Sequence, residues 1–232
     1  MLDHARGKTL FLSGLAFSLA CATPAQAQDD DGMCRNGLFA EQNAEFGLAR
    51  VIGRDRSRFY SDMDGCPQAG ASCQGKAWLV PGDRVVTGRT SGAFVCVFYP
   101  NATGGTAGWM PRQRLAPIPV DSAPPLDRWL GRWSDGDNWV RFSRQGSGLA
   151  VKGLAFWPAA NPPASTRPGG PNTGEIDGSA RPEGSRAAEP GCGIGFRLLG
   201  DYLVVIDPER TCDGMNVTFS GIYRRSGKTG SN

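Results

Sequence analysis

Histidine is almost missing. The 232 residues hold one, His4, and it lies in a segment that reads as a removable leader. A mature chain without imidazole excludes Ser-His-Asp and Cys-His nucleophilic arrangements and His-ligated zinc or iron. Long hydrophobic runs are missing too. The longest, Thr9–Ala20, is too short to cross a bilayer as a helix, and no transmembrane segment is expected. No GxxxxGK[ST] or GxGxxG opens a helix after a strand, so a phosphate-cradling loop is not expected. Charge of one sign is also lacking. Lys plus Arg number 25 and Asp plus Glu 22, and the two signs are spread evenly along the chain. Nucleic-acid binding needs a concentrated basic face, and none is visible.

The N-terminus carries Arg6 and Lys8, then the Thr9–Ala20 run, then Ala25-Gln26-Ala27. This is the layout of a secretory signal peptide over residues 1–27, cut after Ala27. A lipoprotein site at Ser18-Leu19-Ala20-Cys21 is the lesser alternative, because Ser18 stands where such sites usually carry Leu. The expected location is therefore exported, periplasmic or secreted. The remaining 205 residues are enough for two small domains or one large β domain.

Cysteine usage agrees with export. Cys21 leaves with the leader, and Cys34, Cys66, Cys73, Cys96, Cys192 and Cys212 remain. An even count in an exported chain favours disulfides over free thiols. If two domains fold separately, Cys192 pairs with Cys212, and a hairpin turning at Leu199-Gly200-Asp201 brings the two close. Cys66–Cys73 would close a short loop, and Cys34 could tie the N-terminal segment to Cys96. Spacing alone leaves the pairing of these four open. A thiolate metal site is disfavoured, since no CxxC spacing exists.

Residues 77–110 read as short strands joined by tight turns. Ala77–Val80 ends at the turn Pro81-Gly82-Asp83, Val85–Thr87 runs to Gly88, and a second turn follows at Ser91-Gly92. Phe94–Tyr99 puts Phe94, Cys96 and Phe98 on one face and Val95, Val97 and Tyr99 on the other. Gly108-Trp109-Met110 re-enters the sheet. Short strands, glycine turns and no helical period indicate an all-β fold.

The same stretch resembles the bacterial SH3-like (SH3b) family. The residues that carry the likeness are Arg58-Phe59-Tyr60-Ser61, Trp78-Leu79-Val80-Pro81-Gly82-Asp83, Phe94-Val95-Cys96-Val97 and Gly108-Trp109-Met110. The likeness covers residues 49–118, about a third of the chain. It implies a five-stranded barrel, often exported, that commonly binds peptidoglycan or cell-wall peptides. The ALYDY strand and acidic loop of eukaryotic SH3 domains are not visible, so proline-rich ligands are not implied.

Residues 28–48 form a lead-in, with Gly37–Leu48 a short helix or an extended segment. Ala116–Pro125 carries four prolines and reads as an extended linker, with the boundary at 119–126. Residues 127–225 follow as a second, antiparallel barrel or sandwich, and 226–232 as a disordered tail. Expected strands there include Trp139–Ser143, Leu149–Trp157 (one strand bulged at Gly153, or a pair), Gly174–Ala180, Gly193–Leu198, Tyr202–Ile206 and Val217–Arg224. Residues 158–173 and 181–191, rich in Pro, Gly and Ser, read as mobile loops. Gly131 to Trp133, with Arg224-Arg225 at the far end, superficially resembles lipocalin-like small barrels, which implies a closed barrel with a cavity. The ending Asn216–Arg225 resembles those of uncharacterised exported bacterial proteins.

No residue is an obvious catalyst, and no cofactor or metal is expected. Glu41, Glu45, Glu175, Glu183, Glu189 and Glu209 read as solvated acids rather than a glycosidase pair. Asp135-Gly136-Asp137-Asn138 and Asp207, Glu209 and Asp213 read as turns, since neither matches an EF-hand loop. Tyr60, Phe94 and Trp109 are the candidate ligand-binding aromatics, placed to stack on sugar or peptide. The expected protein is a non-enzymatic binding module of the cell envelope, taking peptidoglycan or an envelope or secreted protein. The alternatives are an inhibitor or accessory protein of a secreted enzyme such as a wall hydrolase, and a small-ligand carrier in the second barrel.

Overall fold

A computed structural model describes residues 32–42, 45–101, 104–166 and 169–226. The expected leader, Cys21 and the tail beyond Ser226 lie outside the described residues. The fold is all-β, built as two antiparallel sheets stapled by three disulfides, Cys34–Cys96, Cys66–Cys73 and Cys192–Cys212.

The first sheet contains β1 (Gly47–Val51), β2 (Ser57–Tyr60), β3 (Gln74–Leu79), β4 (Arg84–Ser91), β5 (Phe94–Tyr99), β6 (Thr106–Pro111) and β7 (Leu115–Ile118). They lie in the order β3-β2-β6-β5-β4-β1-β7. The lead-in is neither a full helix nor a strand; it holds one 3-10 turn at Asn36–Leu38. The alternation expected in β5 divides two cores. Val95 and Val97 pack with Ala49, Val51, Phe59, Leu79, Val85 and Met110, the sheet's own interior. Cys96 and Phe98 face the other way.

The second sheet contains β8 (Gly131–Asp135), β9 (Asn138–Gln145), β10 (Gly148–Trp157), β11 (Asn172–Ala180), β12 (Arg186–Glu189), β13 (Ile194–Leu199), β14 (Tyr202–Ile206) and β15 (Gly221–Arg225). The order β11-β10-β9-β8-β15-β14-β13-β12 is two four-strand meanders joined through β8 and β15. The result is a nearly closed up-and-down barrel whose seam lies between β11 and β12. β10 is one continuous ten-residue strand. Two readings from sequence are corrected here. β12 falls inside the expected loop 181–191, and the last strand begins at Gly221 rather than Val217.

Side chains fill the barrel. Trp129, Trp133, Phe142, Phe196, Phe219 and Tyr223 are all at most 2% exposed. Trp133 Nε1 donates to the Trp129 carbonyl at 2.8 Å, and the Tyr223 hydroxyl to the Phe219 carbonyl at 2.9 Å, so two polar tips are satisfied inside. Half of the seam is sewn by another segment. Glu175 N–H donates to the Cys212 carbonyl, and Gly214 N–H to the Thr173 carbonyl. The Cys192–Cys212 disulfide holds that segment beside the barrel wall.

A third hydrophobic cluster joins the sheets. Val86, Cys96, Phe98 and Trp109 from the first meet Leu199, Val204 and Ile222 from the outer face of the second, with Phe39 and Ala40 of the lead-in between them. Val120, in the proline-rich connection, packs on the same cluster.

Candidate functional site

β2 and β3 form one edge of the first sheet, and the sequence Arg54-Asp55-Arg56-Ser57-Arg58-Phe59-Tyr60 leads into it. Period-two alternation buries Ser57 and Phe59 and turns Arg58 and Tyr60 outward. Arg58 is paired across the strands with Trp78, and Tyr60 with Gln74; the two-residue offset between these pairs marks a bulge. The Gln74 amide donates to the Tyr60 hydroxyl at 3.0 Å, and Arg58 donates to the Gly75 carbonyl at 3.1 Å. Arg56 lies 3.8 Å over the Trp78 ring, and Trp78 is 42% exposed. Arg114 donates to Ser57 Oγ at 2.7 Å and to the Asp55 carbonyl, which anchors it from the far end of the sheet.

Asp55, Arg56, Ser57, Arg58, Tyr60, Gln74 and Arg114 wall a cleft of about 350 Å³ that also takes in Pro111 and Gln113, and Trp78 lies outside it under Arg56. Three guanidinium groups and one carboxylate line it, so it is cationic. Guanidinium forks match carboxylates in two parallel hydrogen bonds, and a flat aromatic beside them offers a stacking face. An anionic, partly planar group entering the cleft would meet guanidinium donors and the Tyr60 ring.

Tyr60 and Phe94, two of the three aromatics expected to bind, come together with ring centroids 5.0 Å apart, both half-buried. Trp109 does not join them as an exposed surface. It is 1% exposed and sits in the cluster between the sheets. It lies on the face of the first sheet that Leu199, Val204 and Ile222 of the second barrel cover. Sequence reasoning missed Arg56, Arg58, Trp78, Gln74 and Arg114. The arginines at 54, 56 and 58, two residues apart and in step with Tyr60, were a readable signal for the first strand of the cleft. Arg114 arrives from a distant segment and carried no local signal.

The acids behave as turn braces. Asp207 accepts from the backbone amides of Arg210 and Phe219, and Glu189 from those of Gly191 and Cys192. Asp137 and Asn138 accept from Ala160 and Phe156. Among the described residues no cluster of three metal-ligating side chains forms. Asp213 is unusual. Its carboxyl is out of water, against Asp207, and is pushed up to about 8 by burial first and by Asp207 second, with Arg210 opposing. Burial likewise pushes Asp135 up to about 6, against the pull of Arg224. Both carboxyls hold a proton in the fold that they release in the unfolded chain near pH 4. Their contribution to stability is therefore full below about pH 4 and is lost as pH rises through 6 for Asp135 and through 8 for Asp213. The Asp213 loop is at the surface, so water reaches it with little movement and the loss is about 1–2 kcal/mol rather than the full worth of the shift. Urea midpoints measured from pH 5 to 9 should fall for the native chain and flatten for Asp213→Asn. An equal fall in both would remove Asp213 as the cause.

Comparison with protein-family models, with curated proteins and with solved structures returned no match. The class rests on the fold and cleft alone: a two-sheet, disulfide-stapled β protein with a cationic aromatic cleft on its first sheet.

Proposed function

We propose that this chain is an exported, non-catalytic binding protein of the cell envelope, and that its first, SH3-like sheet recognises peptidoglycan. The observation that carries this reading is the cleft in which Arg56, Arg58 and Arg114 surround Tyr60 and Gln74, with Trp78 exposed beside it. Peptidoglycan offers carboxylates for the guanidinium groups and sugar faces for the rings. Three disulfides are compatible with export. The absence of imidazole beyond His4, and the engagement of Asp207 and Glu189 by backbone amides, support a binding role over hydrolysis.

The test is cosedimentation of the 28–232 chain with isolated sacculi at low and high salt, beside an Arg58→Gln/Trp78→Ala variant. Both residues are exposed and leave the core intact. The native chain should pellet at both salt levels, and the variant should bind roughly tenfold more weakly, as loss of two central contacts does. No pelleting, or pelleting that salt abolishes equally in both proteins, would reject peptidoglycan and point to a protein partner for the same cleft.

A further inference from the structure

The inward face of β11 carries Gly174, Ile176, Gly178 and Ala180. The chain itself fills the space beside both glycines. Asp213 lies against Gly174 and the Glu189 carboxylate against Gly178, so a side chain at either position would collide. The filling stops at the next step. Beside Ala180 and Ala187 a cleft of about 670 Å³ opens. Its floor is Leu149, Ala180 and Ala187, all buried and inward; its lips include Ser179 and Ala188, both exposed and outward. The cleft is lined by residues from both faces of the barrel wall. It lies where β11 and β12 share no ladder. Its size is that of a small-ligand site, whereas the lumen beneath is occupied by aromatic side chains.

The rim carries Arg181, Glu183 and Arg186. Arg186 is paired with Glu45 at 2.7 Å, and its backbone is bridged to Glu183. Arg181 makes no ion pair among the described residues. From this we infer that the seam between β11 and β12 is a second binding site, for a small amphiphile. Its apolar body lies over Leu149, Ala180 and Ala187, and its single negative charge meets Arg181. The Glu183 carboxylate on the same rim disfavours a doubly charged head. This site is independent of the cleft on the first sheet.

Anilinonaphthalene sulfonate is a suitable probe, since it joins an apolar body to one negative charge. The folded chain should bind it saturably, one to one. Ala188→Trp, at an exposed lip, should weaken binding roughly tenfold or more by blocking the opening. Ser179→Trp, on the opposite lip, serves if the first variant fails to fold. Arg181→Gln should weaken the sulfonate probe severalfold and leave the neutral phenylnaphthylamine probe unchanged. Trp78→Ala, on the other sheet, should leave both unchanged. Absence of saturable binding, or binding indifferent to both lip variants, would overturn the site. Equal response of the charged and neutral probes to Arg181→Gln would overturn the anionic end. Sacculus binding by the lip variants should match the native chain, which keeps the two sites separable.

Discussion

Trp109→Ala should lower stability by about 3–5 kcal/mol, the range for deleting a large buried aromatic. Tyr60→Ala and Phe94→Ala should each cost less, because both side chains are only partly buried. Trp109 pairs across the sheet with Cys96, itself fully buried, and shares a cluster with Leu199, Val204 and Ile222 of the other sheet. Its loss would open a void where the two halves of the molecule meet. Trp109→Phe should recover most of the deficit. The Trp109 Nε1 has no hydrogen-bond partner among the described residues, so losing that N–H sacrifices no bond there. Urea unfolding followed by circular dichroism checks the order. An unchanged midpoint for Trp109→Ala, together with lost sacculus binding, would show that the indole acts at a ligand surface and not in the packing between the sheets.

This residue also shows what was legible from sequence. Alternation in Phe94–Tyr99 divided the two faces correctly, because every residue there is apolar or aromatic and the period is strict. Alternation cannot say what covers the outward side. The second barrel does so through Leu199, Val204 and Ile222, three residues on three strands far along the chain. β12 was illegible for a different reason. Arg186-Ala187-Ala188-Glu189 has no β-branched residue and is flanked by Gly184 and Pro190, so its strand state comes from its ladder with β13. Val217 and Phe219 look like strand residues and are buried. The Phe219 amide is taken by Asp207, a side chain twelve residues earlier, and regular pairing starts only at Gly221. The cleft on the first sheet was half legible: Tyr60 was recognised, while Arg58 entered only within the SH3-like motif and Arg56 and Arg114 only in a balanced charge count.

Removing the Cys34–Cys96 disulfide should cost more than removing either of the others. The chain-entropy account makes the loss grow with the span closed. The spans are 62 residues for Cys34–Cys96, 20 for Cys192–Cys212 and 7 for Cys66–Cys73. The corresponding losses are about 4, about 3 and about 2.5 kcal/mol. Packing widens the gap. Cys34 and Cys96 are both buried in the cluster between the sheets, and the bridge holds Phe39 and Ala40 against it. Other ties persist without the bridge. The Cys34 amide and the Arg35 side chain both donate to Asp62, at 3.0 and 2.7 Å, and Arg89 donates to Gln42 at 2.8 Å. A Cys34→Ala/Cys96→Ala variant should therefore fold with a lowered urea midpoint and earlier proteolysis near residues 39–46. Cys66→Ala/Cys73→Ala, whose loop lies at the edge of the first sheet, should lose least and keep the interior of that sheet protected from hydrogen exchange. If the seven-residue bridge proved the costliest to remove, the lead-in would not be what fastens the two sheets together, and the edge bearing β2 and β3 would take that role.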